Sequence, residues 1–196
     1  MARYDAEHKA DTRRRIIETA SGRFKQDGID GSGIATLMSD AGLTNGAFYA
    51  HFESKNDLVA KVIADQLGGQ RAVLASLPRG QAAVEEFVRE YLAPHHRDNP
   101  GMGCPSAALL DEIGRCDDAI RDSYTAGIQS VVDVIATHLS SYDPPAARTR
   151  ALGLITVLVA TLQLARAVSD RKLSDEVLDA GIRNAQIILN GEQSLQ

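Results

Sequence analysis

The 196 residues are 44% hydrophobic and 24% charged, a globular balance that excludes a largely disordered chain. Asp and Glu number 26 against 21 Lys and Arg, a net charge of -5, which excludes recruitment of nucleic acid by bulk attraction; any anion-binding face must be built locally. Two cysteines, Cys104 and Cys116, and no charged-then-apolar leader predict a reducing cytoplasm and no disulfide framework.

Aromatic residues are scarce and Trp is absent, and apolar spacings of three and four recur along the chain, so the expected fold is all-α. The first helix is predicted from near Asp11 to Gln26–Gly28, with Ile16, Ile17, Ala20 and Phe24 on one stripe. Arg13, Arg14 and Arg15 crowd its expected start, where acids are usually preferred, which points to a local anionic partner. Ser32 is placed to cap a short helix from Ile34 to Ala41, closed by Gly42, and Thr44 to cap a second from Asn45 to about His51. Two brief helices about a glycine turn make a helix-turn-helix, with Leu37, Ala41, Leu43 and Phe48 as its core. Ser54, with Asp57 three residues on, opens the next helix, which Gly68 and Gly69 are expected to loosen or end. Beyond it come a turn at Pro78 and Gly80, a helix over 81–92, and a loop over 94–105 with three prolines. Helices over 106–114, 118–140, 145–169 and 174–189 complete the chain.

The longest uncharged stretch, Ala151 to Ala165, is 15 residues, short of the roughly 20 that span a bilayer, so no membrane segment is expected. Leu152, Leu154, Ile155, Val157, Leu158, Val159 and Leu162 leave little polar face there, and a second copy of the chain is the most economical cover.

Ile34, Leu37, the Ala41-Gly42-Leu43-Thr44 turn, Gly46, Phe48-Tyr49, His51-Phe52, Lys55 and Leu58 form an ordered set that resembles the tetracycline-repressor family of bacterial transcriptional regulators. The resemblance covers about the first 60 residues. Met38, and Gly31-Ser32-Gly33 at the entry to the second helix, depart from the family pattern. It implies a three-helix DNA-binding head over 1–60 joined to a helical effector-binding and dimerisation domain over 61–196. It implies a homodimer through the last two helices on a palindromic operator, and a repressor released by a small organic molecule. Gly103-Cys104 resembles the Gly-Cys pair that one subgroup of the family carries in its C-terminal domain.

Side-chain chemistry agrees with that reading. Asn45 carries an amide able to pair bidentately with adenine, and Thr44 and Gly46 flank it at a helix N-terminus suited to phosphate. Tyr49, His51 and Lys55 resemble backbone-contacting residues and can donate to phosphate oxygens, with Arg13, Ser32 and Thr36 as flanking candidates; Phe48 and Phe52 are assigned to the core. Residues 1–60 hold 8 basic and 9 acidic side chains, so DNA affinity must come from placement.

Tyr91, His95, His96, Cys104 and Tyr124 are the candidate lining of an effector cavity. Cys104, ahead of a helix, is either a reactive thiol sensing electrophiles or oxidants or an inert buried one. His95, His96 and Cys104 lack the paired spacing of a zinc site, and no cofactor is implied. No nucleophile elbow, phosphate-binding glycine loop or His-Glu-x-x-His set is present, so an enzyme is not expected; Asp111 and Glu112 are read as solvated surface. The alternative to a regulator is a structural or adaptor dimer whose head binds no specific DNA.

Overall fold

The computed structural model describes residues 2–139 and 143–190, with side chains from residue 7 onward. Those residues form nine α-helices and two short 3-10 helices, with no strand. The helices are α1 (Ala2–Asp27), α2 (Ile34–Asp40), α3 (Lys55–Ser76), α4 (Gln81–Tyr91), α5 (Pro94–Asp98), α6 (Pro105–Ile113), α7 (Asp118–His138), α8 (Pro144–Ala167) and α9 (Arg171–Asn190). The 3-10 helices are Asn45–Ala50 and Pro100–Met102.

Buried Ile16, Ala20 and Phe24 line one stripe of α1, which ends where Gly28 takes φ +82°. The helix begins well before Asp11, so Arg13 to Arg15 sit in its middle and oppose no helix dipole. Arg14 there pairs with Asp11 at 3.1 Å and Glu18 at 3.8 Å. The expectation drawn from a basic helix start is thereby corrected.

At the end of α2 the Leu43 N–H donates to Met38 O (2.8 Å) and the Gly42 N–H to Ser39 O (2.9 Å), a Schellman closure with Gly42 at φ +67°. Gly33, not Ser32, is the N-cap of α2, because the Ser32 hydroxyl turns inward and donates to Gly28 O at 2.9 Å. The second helix of the motif is a 3-10 turn rather than an α-helix, held by the stack of Phe48 on Phe52 (centroids 5.6 Å apart). Met38, Phe48 and Phe52 are fully buried, so the methionine fills the head core without displacing it.

Ser54 caps α3 by accepting from Asp57 N (3.1 Å), while the Asp57 carboxylate accepts from Glu53 N (3.3 Å). Gly68 and Gly69 do not interrupt α3, whose 22 residues run unbroken from head to body and pack along α7. Gly127 of α7 permits that packing: a Cβ there would lie 2.5 Å from Leu67 Cδ1. The expected loop over 94–105 is structured as α5 and the second 3-10 helix, with Pro94, Pro100 and Pro105 each in a first turn where no N–H is missed. Among the described residues α8 is the helix long and apolar enough to cross a bilayer, at 24 residues rather than the uncharged 15. Here it packs between α7 and α9.

Candidate nucleic-acid interface and cavity

The head presents Thr44, Asn45, Gly46 and Thr36 exposed, and Tyr49 is 69% exposed although its ring edge meets Phe48 at 5.2 Å. Thr44 occupies the N-cap position but makes no side-chain capping bond, so its hydroxyl remains open to a ligand. Lys55 is half-buried at the first turn of α3 and forms no ion pair within the described residues. His51 closes the 3-10 turn, its N–H donating to Phe48 O at 2.9 Å. Burial, with Lys9 and Arg13 nearby, lowers its pKa, and its Nδ1 is buried with no partner among the described residues. Arg13 donates to the His51 carbonyl and lies over the Phe52 ring, 4.4 Å from guanidinium carbon to centroid. That clamps α1 to the turn. Ser32 differs from the other candidates, being buried with its hydroxyl committed to Gly28.

In the body, a cavity of about 550 Å³ opens between α3, α4 and the 94–105 segment. Tyr91, His95, His96 and Cys104 line it, with Gln66, Gln70, Val73, Phe87, Glu90 and Met102. Tyr124 does not line it; its hydroxyl hydrogen-bonds to Ser106 Oγ (3.0 Å) in the packing behind Cys104. His96 accepts the Cys104 N–H at Nε2 (3.1 Å), so Nδ1 carries the proton given to Tyr91 O (2.6 Å). Burial lowers the His96 pKa, consistent with that neutral tautomer. Gly103 has no alternative, since a Cβ would collide with His96 Nε2 and approach Arg166 Nη2 to 3.2 Å. The Cys104 thiol points to Gln70 Oε1 at 3.6 Å. No grouping of three or more His, Cys, Asp or Glu that could hold a metal occurs among the described residues.

The sequence does not single out Lys25 or Arg166 and places Glu112 on the surface, yet Lys25 and Glu112 tie the body to the head and Arg166 braces the cavity wall. Lys25 of α1 donates to Gln66 Oε1 (2.9 Å) and Gly103 O (3.0 Å). Arg166 of α8 donates to the carbonyls of His96, Arg97 and Ala107. Glu112, expected on the solvated surface, accepts the Ile29 N–H at 2.7 Å just beyond α1. Arg166 carried a signal, being the charge that ends the apolar run of α8; Lys25 and Glu112 carried none that distinguishes them from surface charges.

Residues 16–62 match the family described as bacterial regulatory proteins, tetR family. The segment is 34% identical over 62 residues to the transcriptional regulator AcrR of Shigella flexneri, covering 32% of this chain and 29% of that protein. The transcriptional repressor BdcR of Escherichia coli is 29% identical over 125 residues, 61% of this chain and 64% of that one. Residues 16–62 are thereby a tetR-family segment. The matched stretch of each of these relatives is less than two thirds of its length. The fold is shared over most of the chain: E. coli NemR in its reduced form superposes with TM-score 0.77 at 18% identity, over 90% of this chain and 95% of that one. A regulator from Cytophaga hutchinsonii superposes with TM-score 0.75 at 21% identity, over 91% and 95%.

Proposed function

We propose that the chain is a homodimeric, ligand-responsive transcriptional regulator, a repressor that leaves a palindromic operator when a small organic molecule fills the cavity. The observation that carries this is the cluster Thr44, Asn45, Gly46, Tyr49 and Lys55, accessible on one side of a head whose apolar residues are buried behind it. Asn45 would read a base edge; Tyr49, His51 and Lys55 would hold phosphates, with Thr36 flanking and Arg13 acting chiefly as the clamp on His51. Ser32 would act through loop shape rather than contact. Residues 1–60 would be the DNA-binding unit and 61–196 the effector and dimer unit, with α3 as a rigid strut between them.

A second copy of the chain is the fitting cover for α8 and α9, where Leu152, Leu164 and Ile187 are exposed, the last by 67%. Two heads so joined would enter successive major grooves, about 34 Å apart. On this reading the protein works in the cytoplasm, away from the membrane, and catalyses no reaction.

Coupling would run along α6, whose N-terminal Cys104 borders the cavity and whose Glu112 holds Ile29, and along α1, whose Lys25 holds the cavity floor. An effector that binds a form with displaced heads more tightly shifts the population away from DNA; taking it from 1:99 to 99:1 needs roughly a 10⁴-fold difference in affinity. The test is selection of fragments from the source genome by the purified protein at near-physiological salt. A shared palindrome supports the regulator; no enrichment at any salt concentration overturns it in favour of an adaptor dimer.

A further inference from the structure

Arg97 shows how this fold ordinarily treats a buried cation: Asp98 at 2.9 Å, Asp175 at 2.6 Å and Ser174 at 2.8 Å surround it. Lys25 and Arg166 break that pattern. Lys25 is buried on two neutral oxygens, those of Gln66 and Gly103. Arg166 is half-buried on three backbone carbonyls, at 3.1 Å (Arg97), 3.2 Å (Ala107) and 2.8 Å (His96). Burial lowers both pKa values; Cys104 and Arg166 act on the charge of Lys25, Tyr91 and Cys104 on that of Arg166, and no carboxylate is among these groups.

Both cations stand behind one wall of the cavity, since Gln66, Gly103 and His96, which they hold, all line it. The α6 N-terminus opens on the same wall at Cys104 and Pro105 without a side-chain cap, adding a third positive pole. Tyr91 lines the same space, 5% exposed, and its hydroxyl is buried beside Cys104 with no partner of good hydrogen-bond geometry among the described residues. A buried phenol without an acceptor is costly, and burial together with the nearby Cys104 raises its pKa well above the ordinary phenol value, so it offers a proton. Glu90 is the one carboxylate of the lining, and it is tied to His95 at 3.0 Å on the exposed rim. The remaining wall is apolar: Val73, Phe87 and Met102.

We propose that the cavity takes a small organic acid, whose carboxylate accepts from the Tyr91 hydroxyl in the field of Lys25, Arg166 and the α6 N-terminus while its apolar body lies on Val73, Phe87 and Met102. The inference rests on the effector reading above and adds the ligand's chemical class. A cavity of about 550 Å³ is in the range of small-molecule sites.

The test is calorimetric titration of the intact protein with matched acids and neutral amides: benzoate and benzamide, cinnamate and cinnamamide, naphthoate and naphthamide. At least one acid should bind about tenfold or more tightly than its amide. Tyr91→Phe and Lys25→Met should each lose most of that preference. Should Lys25→Met fail to fold, Tyr91→Phe, which removes one oxygen, decides the matter. Amides binding as well as acids, no binding of any acid, or a preference that survives Tyr91→Phe overturns the proposal. So does an acid preference seen only in Cys104→Ser, which would assign the cations to a Cys104 thiolate. Operator binding is followed in the same preparations: acids bound without an operator refute the regulator and not the ligand class, and an operator bound without acids does the converse.

Discussion

Replacing Glu112 with Ala removes the carboxylate that accepts the Ile29 N–H at 2.7 Å and strands that donor beside a side chain only 5% exposed. A hydrogen bond to an ionised acceptor contributes about 1.5–3 kcal/mol, and an orphaned buried donor costs about 1–3 kcal/mol. Because Glu112 is half-buried, solvent screening brings the expected loss toward about 2 kcal/mol. Glu112→Gln keeps an oxygen in place and forfeits the charge, so about 1 kcal/mol is expected from it. In a domain of this size about 2 kcal/mol lowers Tm by roughly 4–8 °C. Urea unfolding and calorimetry of parent, Ala and Gln variants measure the series, and operator release by a cavity ligand should weaken in the same order. A Glu112→Ala protein within about 0.5 kcal/mol of the parent, or a Gln variant as damaged as the Ala, would refute the role given to this bond.

Asn45→Ala should relax base preference at one position per half-site by about 1–3 kcal/mol, whereas Lys55→Ala should weaken all sequences alike and reduce the salt slope by about 1; competition binding against single-base operator variants separates the two, and the reverse pattern contradicts the assignments. Gly127→Val should destabilise the protein by about 2–4 kcal/mol in urea, since α3 and α7 must part to admit a Cβ now 2.5 Å from Leu67 Cδ1; a loss below about 1 kcal/mol would mean the helices yield freely. His51 is held below its ordinary value near 6.5 in the free protein, and a bound phosphate would raise it, so the complex takes up a proton and DNA affinity should rise as pH falls through that region and flatten above it. His51→Asn should abolish that dependence in anisotropy titrations; an unchanged pH profile removes His51 from the contacts.

The helices were legible because each carries a stripe of buried apolar residues at helical spacing, as Ile16, Ala20 and Phe24 do on α1. Their ends were legible where a backbone requirement selects the residue, as with Gly28 and Gly42 at positive φ and Ser54 at its cap. Early helix starts escaped notice: the first residues of α1 are polar, and α9 begins three residues before Ser174. Ser32 misled because a serine ahead of a helix has two outlets for its hydroxyl, and here the Gly28 carbonyl wins over the cap. In the cavity, Tyr91, His95, His96 and Cys104 lie close in the chain and were found together. Lys25 and Arg166 come from opposite ends of the sequence and meet only through Gly103 and His96, a proximity no spacing encodes.

The most direct test of a dimeric operator-binding regulator is titration of the selected palindrome, and of a scrambled duplex of equal composition, at about 0.15 M salt, with stoichiometry read by sedimentation. Two protomers per palindrome and a preference of at least about 10³ over the scrambled duplex are predicted. Equal affinity for both duplexes, or a single protomer bound per palindrome, would contradict it.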